Sequence, residues 1–239
     1  MSVLVVTGTG SGVGKTVVTA ALTALALGRG ATAAVVKPAQ TGLAAGEPGD
    51  VDEVIRLSGV TTTFELGRFP CALPPAAAAR ASGTPPVSLS GATELVRELA
   101  GSNRLVVVEG TGGLLDRYDE DGATVADLAH ALRAQVLVVV RAGGDTVNHT
   151  ALTLESLGNH GLDLAGVVIG RWPAAPGPAE RGSVADLEML AARPLAGALP
   201  EGMGGLRSRP EFAAAAREGL AAALGGCFDP TAFRHRHDV

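Results

Sequence analysis

Short runs that are apolar at nearly every position alternate along this chain with longer stretches whose apolar residues recur every three or four positions. The runs at 3–7, 33–36, 105–108, 136–140, 165–169 and 195–199 predict strands. The stretches at 16–27, 50–57, 125–132, 150–157, 184–192 and 211–224 predict helices. Strands without a polar face, separated by helices, imply a parallel sheet covered on both sides. The fold class is therefore α/β. Residues 70–86 and 173–182, which begin at prolines, read as irregular, and 227–239 reads as a frayed end. On such sheets ligands gather at the carboxyl ends of the strands. The loops that carry candidate chemistry here all follow strands.

The 239 residues fit one large domain. With 46% hydrophobic and 18% charged residues, a disordered chain is excluded. The net charge of -5 and the lack of a basic cluster argue against a nucleic-acid binder. No apolar run approaches the roughly 18 residues of a membrane span, and no signal-peptide pattern stands at the N-terminus, so the expected location is the cytoplasm. Cys71 and Cys227 are far apart and carry no zinc spacing. One count changes the picture. Of 19 basic residues only Lys15 and Lys37 are lysines, so a lysine that persists in so arginine-rich a chain is a candidate for chemistry.

Both lysines follow strands. Lys15 belongs to Gly8-Thr9-Gly10-Ser11-Gly12-Val13-Gly14-Lys15-Thr16, a glycine-rich loop between a strand and a helix. Its backbone N–H groups can cradle phosphate oxygens, with Lys15 on the outer phosphates and Thr16 on Mg²⁺. The first glycine lies one residue further back than the general phosphate-loop spacing requires. Lys37 opens Lys37-Pro38-Ala39-Gln40-Thr41-Gly42, and Pro38 keeps it at a strand tip. From there it could face the same phosphates from the other side. Glu109 ends an apolar strand and precedes Gly110, Gly112 and Gly113, a place suited to holding Mg²⁺. Asp50 opens a helix, and Asp52 is near enough that either could serve. No Ser/His/Asp set and no nucleophile elbow is present.

These blocks, with Val108-Glu109-Gly110-Thr111-Gly112-Gly113-Leu114 and Asn148-His149-Thr150, resemble the dethiobiotin synthetase family in order and spacing over about residues 1–225. The resemblance implies a P-loop NTPase-type sheet of about seven strands, with 226–239 as a flexible tail. It implies that 7,8-diaminopelargonic acid, CO₂ and ATP or another nucleoside triphosphate are joined through a carbamate and a carbamic–phosphoric anhydride, with Mg²⁺, in a homodimer. On the same footing Lys37 and Lys15 are catalytic. The nucleotide would meet Gly12, Val13, Gly14, Thr16, Val17, Asp50, Glu109, Gly110, Thr111, Gly112, Gly170, Arg171, Ala198, Leu199 and Pro200. Thr16, Asp50 and Glu109 would hold the metal. Ser11, Thr41, Pro75 and Ala76 would meet the diamine. Gly144, Asp145, Thr146, Val147 and Asn148 match the loop that takes the substrate carboxylate from the neighbouring subunit. Arg171-Trp172 stands where the family commonly has an adenine-reading Asn, which leaves the base open. Asp145 would repel an incoming carboxylate and is expected to point away.

Two rivals share the phosphate loop. A cobyrinate amidase would need a further glutaminase domain. A ParA/MinD-type switch would carry a second lysine where this chain has Gly10, and a basic membrane helix where 211–224 has only Arg217.

Overall fold

The structure, a computed structural model, describes residues 2–238, so Met1 and Val239 of the segments read above fall outside it. In chain order the elements are β1 (Ser2–Gly8), α1 (Lys15–Gly28), β2 (Ala33–Lys37), β3 (Gln40–Thr41), α2 (Asp50–Ser58), β4 (Thr62–Glu65), β5 (Arg68–Phe69), α3 (Pro75–Ser82), α4 (Leu89–Ser102), β6 (Leu105–Glu109), α5 (Val125–Leu132), β7 (Gln135–Val140), α6 (Thr146–Asn159), β8 (Leu164–Trp172), α7 (Pro178–Ala191), β9 (Gly197–Pro200), α8 (Arg209–Gly219) and α9 (Pro230–His237). Seven strands form one sheet in the order β4-β2-β6-β1-β7-β8-β9, and every neighbouring pair is parallel. The two-residue strands β3 and β5 pair separately.

Register positions the site. Val6 of β1 pairs with Glu109 of β6, and Val36 of β2 pairs with Val108, so Lys37 and Glu109 end adjacent strands at one level. Side chains alternate across a strand. Val35 and Val107 pack in the cluster formed with α1, α2 and α8, whereas Val36 and Val108 pack in the opposite one. Lys37 and Glu109, two residues beyond Val35 and Val107, therefore share the face of α1, whose first turn carries Lys15 and Thr16.

The six apolar runs all form strands of this sheet. The seventh strand, β4 with the sequence Thr-Thr-Phe-Glu, lies at an edge and needs no apolar run. About half of the residues read as irregular are helical. Both α3 and α7 start with a proline, which costs nothing at the first helical position because its missing N–H would have no partner there. Helix α4 has the apolar spacing Leu89, Ala92, Val96, Leu99 and a Ser88 cap whose hydroxyl accepts from the Gly91 N–H at 3.1 Å, yet no element was assigned there from sequence. The expectation of a frayed C-terminus is also corrected. Asp229 Oδ1 accepts from the N–H groups of Thr231 and Ala232, and α9 packs Phe233 against Trp172 with ring centroids 4.9 Å apart.

Candidate active site

The phosphate loop runs from the end of β1 into α1. Gly14 has φ +105°, and a Cβ there would come within 2.8 Å of the Gly170 carbonyl oxygen. Conversely, a Cβ on Gly170 would lie 2.2 Å from the Val13 carbonyl oxygen. The loop thus presses on β8 backbone to backbone, which only glycine at both positions permits. Gly170, assigned to the nucleotide from sequence, here seats the loop.

Within the loop Lys15 Nζ donates to the Gly10 carbonyl at 2.8 Å and to the Gly112 carbonyl at 2.7 Å. Burial, then the nearby Lys37 charge, lowers its ammonium to about 8. Lys37 is 2% exposed. Its Nζ lies 2.7 Å from Asp50 Oδ2 and 2.9 Å from Glu109 Oε1, and it donates to the Gly110 carbonyl at 3.3 Å. Burial alone would lower this lysine, but Glu109 and Asp50 together hold it above the ordinary lysine value. Asp50 is pushed up by burial and more strongly down by Lys37, so it stays ionised. The Thr16 hydroxyl donates to the same Glu109 oxygen at 2.9 Å.

The acids near residue 50 separate cleanly. Asp50 faces Lys37, whereas Asp52 Oδ2 accepts from the Gly49 N–H at 2.7 Å and so caps α2. Among the described residues no cluster of three or more His, Cys, Asp or Glu could hold a metal. The hard oxygens of Thr16, Asp50 and Glu109 nevertheless converge, and they suit Mg²⁺, which takes one or two carboxylates and fills its shell with water and phosphate.

A cavity of about 310 Å³ brings most expected residues together. Ser11, Gly12, Gly14, Lys15, Thr16, Val17, Lys37, Thr41, Asp50, Glu109, Thr111, Gly112 and Arg171 all line it. A second cavity, about 520 Å³, shares Ser11 with the first and is lined also by Val13, Gly144, Asp145 and Thr146. Neither cavity is lined by Gly110, Gly170, Pro75, Ala76, Val147, Asn148, Ala198, Leu199 or Pro200. Ala76 is buried at the start of α3, and Leu199 is buried in the core.

Three further residues shape the first cavity. Gln40 lines it and its Oε1 accepts from the Asp50 N–H at 2.9 Å, fixing the start of α2. Tyr118, fully buried, accepts from the Thr111 N–H at 2.8 Å, and Asp116 accepts from the Gly113 N–H at 2.8 Å. Together they pin the loop whose carbonyls receive both lysines. Gln40 stood in the Lys37 motif and Tyr118 is the chain's only tyrosine, signals that could have marked both. Asp116 had none.

No helix among the described residues is long and apolar enough to cross a membrane. A family model described as an AAA domain matches residues 2–203. The ATP-dependent dethiobiotin synthetase BioD of Frankia casuarinae is 59% identical over 239 residues, all of each chain. The protein of that name from Parafrankia sp. is 57% identical over the same length, again all of each chain. That from Streptomyces coelicolor is 50% identical over 237 residues, 99% of each. Among solved structures, the septum site-determining protein MinD of Pyrococcus horikoshii, complexed with Mg-ADP, superposes with a TM-score of 0.59. It is 14% identical, and the match covers 91% of this chain and 95% of that one. At that identity the likeness concerns the fold alone.

Proposed function

This chain belongs to the ATP-dependent dethiobiotin synthetase family, and on that premise we propose that it closes the ureido ring of dethiobiotin from 7,8-diaminopelargonic acid, CO₂ and ATP. The observation that carries the reading is the Lys37 ammonium held between Asp50 and Glu109, beside Lys15 and Thr16, in a cavity lined by no cysteine and no histidine to act as, or activate, a protein nucleophile. Such a cavity suits a reaction in which the substrates supply every nucleophile and the protein supplies charge and position.

One amine of the substrate adds to CO₂ and loses a proton, giving a carbamate. A carbamate oxygen attacks the γ-phosphorus and ADP leaves, giving a carbamic–phosphoric anhydride. The second amine attacks the carbamoyl carbon, the ring closes, and phosphate departs. Lys37 balances negative charge where carbamate and γ-phosphate meet. Lys15 and the loop N–H groups hold the phosphate chain, and the Ser11 and Thr41 side favours the diamine. Thr16, Asp50 and Glu109 would hold Mg²⁺, which neutralises phosphate charge when bound. The family likeness supports a homodimer in which the segment Gly144 to Asn148 of one subunit receives the substrate carboxylate of the other. It also supports a cytoplasmic enzyme. A single sedimentation or light-scattering measurement decides between monomer and dimer.

The functional test supplies diamine, bicarbonate and each nucleoside triphosphate in turn, and follows product by mass. Expected is a dethiobiotin mass that needs all three, with triphosphate cleavage dependent on diamine and bicarbonate. Steady cleavage without either would favour a nucleotide switch instead.

A further inference from the structure

Resting on the ring-closing reading above, we infer that Tyr118, which lines neither cavity, is a positioning residue for both lysines, and that it works through Thr111, a strut between the loop after β6 and the loop after β2. The loop at 110–113 gives a carbonyl to each lysine, Gly110 to Lys37 at 3.3 Å and Gly112 to Lys15 at 2.7 Å. Three of its four residues are glycines, so it has little of its own with which to hold those carbonyls still. Thr111 carries its only side chain. The Thr111 hydroxyl donates to the carbonyl of Ala39, two residues past Lys37, and the Thr111 N–H donates to the Tyr118 hydroxyl at 2.8 Å. One residue thus joins the loop that follows Lys37 to the loop that follows Glu109, and Tyr118 holds that residue from behind. On the other flank Gly113 bridges to Thr9 in the phosphate loop.

Tyr118 is itself a fixed point. Its ring is fully buried in the core on the side of the sheet opposite α1. Its N–H donates to the Ala123 carbonyl at 2.8 Å, and Arg117 beside it bridges to Thr124, the cap of α5. The Arg117 carbonyl accepts from the Ala76 N–H at 2.9 Å, which ties the same turn to the start of α3. Displacing a charge that must meet a developing negative charge costs rate more than it costs binding. The N–H groups suited to cradling phosphates belong to Gly12 through Thr16, and none of them is bonded to Tyr118 or Thr111. Loss of the strut therefore falls on the chemical step.

The test compares Tyr118→Phe, which keeps the ring in the core and removes the hydroxyl, with Thr111→Val and Thr111→Ser, all assayed well below the melting temperature with the diamino acid, bicarbonate and ATP. Expected for Tyr118→Phe is a 10- to 100-fold fall in kcat, the scale of a reacting group displaced by about 1 Å, with KM for ATP moved less than about three-fold. Thr111→Val loses a similar factor, and Thr111→Ser, which keeps a hydroxyl, recovers part of it. The double variant Tyr118→Phe/Thr111→Val stays within about three-fold of the slower single variant, because both changes free one loop. A kcat for Tyr118→Phe within two-fold of wild type, whatever its melting temperature, overturns the inference, as does a loss taken wholly in KM for ATP. Equal losses in Thr111→Val and Thr111→Ser, or losses that multiply in the double variant, overturn it too, and all four leave the ring-closing reading intact. If Tyr118→Phe does not fold, the comparison of Thr111→Val with Thr111→Ser decides alone. Failure of the wild type to turn over the diamino acid overturns both.

Discussion

Lys37 and Glu109 are 2% and 1% exposed, so each is the other's main compensation for leaving water. On the proposed reading, Lys37→Gln removes the cation that balances the carbamate and γ-phosphate. Ring closure should fall by at least about 10²–10³-fold, the scale of losing one placed electrostatic donor. Nucleotide should still bind, because Lys15 and the loop N–H groups are untouched; titration with a fluorescent triphosphate checks this. The substitution also leaves Glu109 unpaired, at a cost of about 3–5 kcal/mol in stability. The double variant Lys37→Gln/Glu109→Gln should regain much of that stability in urea melts while staying inactive. Recovery of turnover in the double variant would show Lys37 to be structural only. Gly170→Ala tests the seat of the loop. Its added carbon, 2.2 Å from the Val13 oxygen, must displace the loop or β8, and nucleotide affinity should fall together with the melting temperature. Both lysines were legible in the sequence through their scarcity and their places after strands. Asp116 acts by accepting from the Gly113 backbone N–H, a role that leaves no pattern in side-chain types.

Most elements of regular period were readable, although α4 was not, and neither were α3 and α7, which begin at prolines inside segments read as irregular. Residues 70–86 and 173–182 read as irregular from sequence, yet α3 and α7 start within them, since proline breaks a helix only beyond its first turn. Helix α9 has a pH dependence of its own. His237 packs edge-on against Trp172 and at a tilt against Phe233, with ring centroids at 5.1 and 4.8 Å. Burial, then the Arg236 charge, lowers its pKa from the ordinary value of 6.5, while Asp238 raises it. The docked helix therefore binds fewer protons than the released one, and docking is strongest above about pH 6.5. As pH falls below that value toward the lower pKa of the docked ring, His237 takes up a proton and α9 loosens. Trp172 is the only tryptophan, so its emission reports the step directly. His237→Gln should flatten the change between pH 7 and 5. Phe233→Ala should release α9 even at pH 8, with the sheet still cooperative in far-UV melts. An unchanged pH profile in His237→Gln would assign the transition to another group.

At the scale of the whole molecule, the sheet order is what makes a site from segments far apart in sequence. Thr16, Lys37, Asp50 and Glu109 come from α1, β2, α2 and β6, and they meet because β2, β6 and β1 are consecutive in the sheet. Six of the seven strands were legible as apolar runs. Their order was not, because parallel pairing leaves no local mark; the family likeness implied the sheet, and the register shows why the lysines and acids converge. A ligand that bridges these four elements binds only the folded chain, so its binding energy adds to global stability. At a hundred times its Kd, ATP with Mg²⁺ should stabilise the protein by about 2.7 kcal/mol. For a chain of this size that raises the melting temperature by roughly 5–11 °C. Chelating the metal should remove most of the shift, since Asp50 and Glu109 then face the triphosphate as bare carboxylates and repel it. In Asp50→Asn, where one of those charges is gone, the shift given by ATP in chelator should instead grow relative to wild type. If wild type gains as much from ATP in chelator as from ATP with Mg²⁺, the acids do not serve the metal, and their work is confined to holding Lys37.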